Sequence, residues 1–376
     1  MGTLSVAESP APRAAIALGF ACDGACVFCA QEGLTQDARP DLQVRASLQK
    51  ARDAGAREVT FVGGEPAADA RLEGFVAQAA ALGFVRVGVQ TNGRALSAPG
   101  RVDALARAGL TDVHLSIHGA EARVHDWHAG VTGAFDASLR TMAAARAAAL
   151  DVVVATVLTR STFRVLAPLP RLLASRGAKA WCIEVPRWRG RAATAADRVV
   201  PRLALALPFA LHAVDVAETL GLAAFVRGAP SCLLGPFASR AIDSVDGEVR
   251  SFGATCASCP SRAACAGVDA EYLARFGEGE LAPCPPVRPS AGDAAHAAHA
   301  ALRAMFVGVG ELAPPAAPAR MEAPPERARV ALPLLGRPAP AVAEVSASAP
   351  KQSGEALRAI LPGLFEGPGA ATPRKS

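Results

Sequence analysis

Along residues 14–184, short apolar runs alternate with longer amphipathic stretches. The runs AAIALGF (14–20), REVTFVG (57–63), VRVGVQ (85–90), DVHLSIH (112–118), DVVVATVL (151–158) and AWCIEV (180–185) read as strands. Helical periodicity fills the intervals at 42–54, 67–82, 101–109, 134–149 and 164–176. Six strands alternating with helices predict a parallel α/β sheet, and right-handed crossovers let such a sheet curl. The expected fold is therefore α/β, a partial (β/α)6 TIM-like barrel over residues 13–225. The apolar stretch LALALPFALHAV from Leu203 is too short to span a bilayer and is interrupted by Pro208 and His212, so it reads as a buried helix.

Past the barrel the pattern weakens while cysteines return at Cys232, Cys256, Cys259, Cys265 and Cys284. Residues 226–290 are expected to form a small, loop-rich, cysteine-bearing C-terminal domain. A short Ala-rich helix is expected within 291–312, and the Pro/Ala-rich stretch 313–376 as a largely disordered tail. Near its end, SGEALRAILPGLF has apolar residues at helical spacing until Pro362-Gly363 breaks it. No internal repeat is visible.

Composition narrows the function classes. Half of the 376 residues are hydrophobic and 19% are charged, which suits a globular protein with a sizeable core. The net charge of +5 is spread along the chain, with no polybasic block and a single Tyr, so no nucleic-acid partner is expected. The N-terminus lacks a basic start and an apolar core, so neither export nor a membrane is expected. Nine cysteines in that setting point to a reducing, cytoplasmic compartment, where closely spaced thiols bind metal more often than they form disulfides.

The densest chemistry lies in ACDGACVFCA (21–30), a C-x3-C-x2-C spacing of Cys22, Cys26 and Cys29. Soft thiolates in this arrangement suit zinc or an iron-sulfur cluster. No fourth ligand is near in sequence; the next histidine is His114. Either a distant residue completes a zinc knuckle, or a cubane held by three cysteines keeps one iron open.

Here the sequence resembles the radical S-adenosylmethionine (radical SAM) enzymes, whose signature C-x3-C-x-aromatic-C is met by Cys22, Cys26, Phe28 and Cys29. The resemblance implies a [4Fe-4S] cluster whose open iron takes the amino and carboxylate groups of S-adenosylmethionine (SAM). FVGGEP (61–66) resembles the Gly-Gly-Glu motif of that family, which implies that Gly63, Gly64 and Glu65 hold the methionyl amine. QTNG (90–93) and LSIHG (115–119) fall where strand ends of the molybdenum-cofactor and peptide-maturation branches face SAM. That implies contacts from Ser116 and Asn92, while Asn92-Gly93 also reads as a plain turn and His118 as a structural histidine. HDWHAGVTGAF (125–135) resembles a segment of the same branch and receives no chemistry. Glu184 is within reach of the pocket by register, and Arg187, Arg189 and Arg191 form either a clamp for an anionic group or a solvated basic loop. No catalytic residue is assigned.

Cys256-x2-Cys259-x5-Cys265, with Cys232 before it and Cys284 after it, resembles the SPASM or twitch extensions that bind auxiliary clusters in this family. Asp269 stands where a further cysteine belongs, which argues for one probable auxiliary [4Fe-4S] cluster. Its expected ligands are Cys232, Cys256, Cys259 and Cys265, with Cys284 as a substitute for Cys232; four cysteines also close a zinc site. Cys182, inside a strand, reads as a small buried hydrophobe. By resemblance the protein is an oxidoreductase or maturase that abstracts hydrogen from a peptide or a small molecule, the latter in tetrapyrrole or cofactor assembly, and is fed by a reductase or flavodoxin-type electron donor. About a dozen residues precede the first strand, so a peptide maturase of this kind is expected to need a separate leader-binding partner. The alternative is a non-catalytic iron-sulfur or zinc protein acting as carrier or scaffold.

Overall fold

A computed structural model describes residues 13–34, 37–242, 251–286 and 300–306, together with the backbone of a strand at 309–311. By contacts the chain divides into residues 1–323 and 324–376, and the second unit lies wholly outside the described residues. So do the tail expected over 313–376, its helical fragment and residues 291–299.

The strands β1 (Arg13–Ala17), β2 (Glu58–Val62), β3 (Arg86–Thr91), β4 (Asp112–Ser116), β5 (Asp151–Val157) and β6 (Ala180–Glu184) answer the six apolar runs. Three more extend the sheet: β7 (Ala223–Arg227), β8 (Ala241–Ile242) and β9 (Val309–Glu311). All pairings are parallel, in the order β8-β7-β6-β5-β4-β3-β2-β1-β9. From β1 to β8 each connection sets the next strand beside the last, while β9 pairs with β1, and the sheet curls into a partial TIM-like barrel.

Strand alternation sorts the side chains to two faces. Val59, Phe61, Val87, Val89, Val113, Leu115, Val154 and Ile183 are fully or almost fully buried in one large core with helix residues such as Leu48, Phe75, Leu105 and Leu173. The opposite face of β5–β7 offers Val153, Cys182 and Phe225, which pack with Met305 and Phe306 in a smaller cluster. Cys182 is thus a core residue, as its strand position suggests.

Across β1–β4 that second face is polar. The Arg13 guanidinium lies 2.8 Å from Glu58, Thr60 and Asp112, and His114 is 2.7 Å from Asp112. A buried charge is tolerated only with such partners.

The helix Leu203–Thr219 forms, with Pro208 inside it, but it buries one face only: Leu203, Ala206, Leu207, Ala210, Ala213, Val214 and Ala217 are buried while Leu205 and Phe209 are exposed. A helix at Ala122–Ala129 falls in a segment without an apolar period. The C-terminal cysteine unit consists of short turns at Ala254–Ser258 and Arg262–Ala264 and the helix Ala270–Phe276. It is fixed to the barrel where Tyr272 Oη accepts from the Leu203 amide at 2.7 Å.

Candidate functional site

The cysteine loop leaves β1 at its carboxyl end, the end where parallel α/β sheets place their ligands. Its path is set by backbone contacts with β2. Gly64 and Glu65 amides donate to the Gly19 and Ala21 carbonyls at 3.0 and 2.8 Å. A Cβ on Gly64 would stand 2.2 Å from the Ala21 oxygen, and one on Gly63, whose φ is +140°, 2.1 Å from the Gly19 oxygen. The Gly-Gly pair therefore lets β2 pass flush against the chain that enters the loop. The close approach is to the protein's own backbone, a tighter requirement than approach to a ligand.

Within the loop the thiols gather around Gly24. A Cβ there would lie 3.6 Å from Cys22 Sγ and 3.8 Å from Cys26 Sγ, and the Gly24 amide donates to Cys22 Sγ at 3.3 Å. Burial, then the neighbouring thiols of Cys29 and Cys22, push the Cys26 thiol up to about 12. Burial raises Cys22 as well. Crowded thiols that resist ionising one by one become favourable when a metal takes their protons' place. Among the described residues no three His, Cys, Asp or Glu side chains are arranged around a single metal ion. A cubane takes each thiolate at a different iron corner and so accepts a wider spacing than one ion does.

Glu65 joins the ends of β2 and β3. Its Oε1 accepts from the Ala67 amide at 3.0 Å and the Thr91 hydroxyl at 2.6 Å, and its Oε2 from the Asn92 amide at 2.6 Å. A carboxylate has about four acceptor sites, so one on Oε2 stays open. The side chain is 4% exposed, and burial raises it to about 7 despite those three donors. The pocket under-compensates a full negative charge, and a cation would complete it.

Asn92 is more than a turn. Its Nδ2 donates to Asp23 at 2.7 Å and its Oδ1 accepts from the Arg94 amide at 2.8 Å, while Arg94 pairs with Asp23 at 2.7 Å. The end of β3 thereby grips the loop between Cys22 and Cys26. Ser116 sits half-buried at the end of β4.

The segment 125–135, given no chemistry from sequence, supports the loop from behind. The Ala129 and His128 carbonyls, near the C-terminal end of the helix Ala122–Ala129, accept from the Ala25 and Val27 amides at 2.9 and 3.0 Å. Helix-end carbonyls without intrahelical donors and loop amides satisfy each other.

Three buried histidines line this contact. His118 meets the Phe28 ring edge-on at 4.6 Å and stacks on His125 at 5.6 Å. His128 Nδ1 lies 2.6 Å from the Val124 carbonyl, so it donates, leaving Nε2 to accept from Ser161 at 2.7 Å. Burial lowers all three, His125 and His128 to about 4, so they are neutral at pH 7. The His118 amide donates to His125 Nδ1 at 3.1 Å, and the Nδ1 of His118 accepts from the Val157 amide at 3.4 Å. The signal that marks this element is Gly130 closing a helix behind the histidine pair.

Arg191 differs from the clamp or solvated loop expected for it. Its guanidinium is paired with the Glu32 carboxylate, with Nε at 2.7 Å, and donates to the Cys26 carbonyl at 2.7 Å. Glu184, at the end of β6, pairs with Arg227 at 2.7 Å.

The C-terminal unit brings together Cys232, Cys256, Cys259, Cys265 and Cys284, all lining one small pocket. Backbone amides of Ser231 and Gly267 donate to Cys265 Sγ, each at 3.4 Å, and that of Cys284 to Cys259 Sγ at 3.5 Å. The Cys284 amide is the largest influence lowering the Cys259 thiol, while burial raises Cys232 and Cys284. Amide hydrogen bonds to sulfur are a lever by which proteins tune thiolate-bound clusters. Both Cys232 and Cys284 reach the cavity, so the first choice and its substitute are equally placed.

No helix among the described residues is long and apolar enough to cross a membrane.

Residues 16–162 match the family described as the Radical SAM superfamily. An AdoMet-dependent heme synthase of Oleidesulfovibrio alaskensis is 29% identical over 182 residues, 48% of this chain and 46% of that protein. A PqqA peptide cyclase of Methylocella silvestris is 32% identical over 161 residues, 42% and 43% of the respective chains. The chain spans about half the length of these curated relatives. Among solved structures, Streptococcus suis SuiB bound to the precursor peptide SuiA aligns with a TM-score of 0.50 at 16% identity, over 61% of this chain and 52% of that one. At that identity the likeness speaks to the fold alone.

Proposed function

We propose, on the match of residues 16–162 to the Radical SAM superfamily, an enzyme that holds a [4Fe-4S] cluster on Cys22, Cys26 and Cys29 and binds SAM beside it. The observation that carries this reading is the three-thiol loop set against a buried carboxylate with one open acceptor site. When bound, the cluster and SAM supply, on one-electron reduction, a 5'-deoxyadenosyl radical that abstracts hydrogen from the substrate.

The chain's residues supply placement and shelter. Glu65 holds the methionyl ammonium on its open Oε2 site, and Gly63 and Gly64 keep that carboxylate close to the loop. Asn92 fixes Asp23 and with it the direction of Cys22, Ser116 faces SAM from β4, and Phe28, backed by the neutral histidines, closes the loop's inner side. A peptide is the substrate class we favour over a small molecule, because a PqqA peptide cyclase is among the proteins this chain resembles. A heme synthase relative keeps tetrapyrrole chemistry as the small-molecule option. A flavodoxin-type protein is the electron donor. Anaerobic incubation of the reconstituted protein with dithionite and SAM is expected to release 5'-deoxyadenosine; none from an iron-replete sample would overturn this reading.

Affinity for SAM should depend on pH through Glu65, which binds the ammonium only when ionised. With the carboxyl raised to about 7, the ionised fraction climbs roughly tenfold or more between pH 5.5 and 7, below the range where an α-amino group loses its proton. The dissociation constant measured by equilibrium dialysis should fall by about that factor. Glu65→Gln should bind weakly with a flat profile.

The C-terminal cysteine unit, for which the 226 boundary falls inside β7 and leaves β8 on the wrong side, holds an auxiliary [4Fe-4S] cluster on Cys256, Cys259, Cys265 and a fourth thiol from Cys232 or Cys284. Five thiols on one cavity with amides directed at two of them support a cluster over a single zinc. Cys256→Ala combined with Cys259→Ala is expected to remove about four irons per chain and to leave the SAM-responsive cluster in place. Unchanged iron with lost zinc would assign the site to zinc.

A further inference from the structure

The loop 186–191 after β6 touches both cysteine sites. At one end Arg191 has two partners on the first site besides its pair with Glu32: its guanidinium donates to the Cys26 carbonyl at 2.7 Å and its amide to the Cys29 carbonyl at 2.8 Å. Gly190, at φ +53°, leaves so little room that a Cβ would stand 2.5 Å from the same Cys29 oxygen. At the other end the Trp188 amide donates to Asp269 at 3.3 Å. Asp269 is the residue found at the spacing of a further cysteine, four positions after Cys265. Its carboxylate faces the barrel loop.

We infer that Arg191 and Asp269 are positioning residues that tie the 22–29 loop and the C-terminal cysteine unit to one strut, residues 186–191, so that loosening either end loosens the first cluster. The inference rests on the cluster assignment above. The planar guanidinium bridges Glu32 and a carbonyl between two cysteines, a geometry that an ammonium does not reproduce. Its charge beside Cys26 also favours the reduced, more negative cluster. Outer partners of metal ligands commonly govern affinity by about 10- to 100-fold.

The test uses the reconstituted holoenzyme and reads two quantities on the SAM-responsive EPR signal: its midpoint potential, and its rate of loss to an iron chelator. Arg191→Met should lose the signal about 10- to 100-fold faster and titrate at a more negative potential. Arg191→Lys keeps the charge, so it should retain the wild-type potential while still losing iron faster. Asp269→Ala, at the other end of the strut, should accelerate loss of the first signal about tenfold with the potential unchanged. Wild-type loss rates in Arg191→Lys and Asp269→Ala would overturn the inference, even if Arg191→Met failed to fold. A wild-type protein with no SAM-responsive signal would instead overturn the functional reading on which it rests.

Discussion

Cys26→Ser is expected to leave a folded protein that releases no 5'-deoxyadenosine above background and carries about four fewer irons per chain. Cys26 is the middle thiol of the loop, its carbonyl is held by Arg191, and burial with its two neighbouring thiols pushes it up to about 12. Alone it is a poor thiolate, and as one of the three ligands we propose it is indispensable, because two cysteines leave two irons of a cubane without protein. A hydroxyl in its place is a harder and far less acidic donor. The same substitution at Cys182 provides the control: that thiol is fully buried in β6 and raised by burial, and faces apolar residues of the inner cluster. Cys182→Ser should lower stability and leave iron content and nucleoside release intact. Iron analysis and chromatography of the reaction products check both.

Arg13→Met should cost about 3–5 kcal/mol in urea unfolding, the usual consequence of removing one partner from a buried ion pair. Arg13 and Asp112 are 2% and 0% exposed and 2.8 Å apart. Burial alone pushes the Asp112 carboxyl up, but the His114 hydrogen bond and the Arg13 charge outweigh it and hold it well below the usual carboxylate range. Because the folded value is depressed, Asp112 stabilises the fold above its unfolded pKa of about 3.8 and loses that contribution as pH falls toward the folded value. Met in place of Arg13 takes away the nearer guanidinium and leaves the buried carboxylate to the Thr111 hydroxyl, His114 and the Arg86 guanidinium at 3.3 Å. Replacing both partners by apolar residues should cost much less than Arg13→Met alone, and an equal cost would show that the pair is not what matters.

The sequence made the first half of the barrel legible because β1–β6 carry apolar runs that only buried strands need, and because helix periodicity separates them. It hid β7, although AAFVR is no less apolar, since it follows directly on the apolar helix Leu203–Thr219 and the two merge into one hydrophobic stretch. A two-residue strand such as β8 and a β9 reading Val-Gly-Glu have no period to detect.

At the site, Cys22, Cys26, Cys29 and the Gly-Gly-Glu run stand out by spacing, and the structure brings them together. What holds them does not stand out. The helix Ala122–Ala129 buries His125 and His128, residues that a hydrophobic pattern counts as polar, because their ring nitrogens are satisfied internally. Arg191 looks like a surface arginine until Glu32, 159 positions earlier, is beside it. Asn92 reads as a turn residue because the partner that defines its role, Asp23, belongs to another strand end. These supports are pairwise contacts between distant segments, and a one-dimensional pattern carries no mark of them.

Electron paramagnetic resonance of the oxygen-free, dithionite-reduced protein, recorded before and after adding SAM, tests the central claim most directly. An iron with an open position must change its spectrum when an amine and a carboxylate occupy it, so a shifted set of g-values that disappears in Cys26→Ser is the predicted result. Superimposable spectra at saturating SAM would contradict the account.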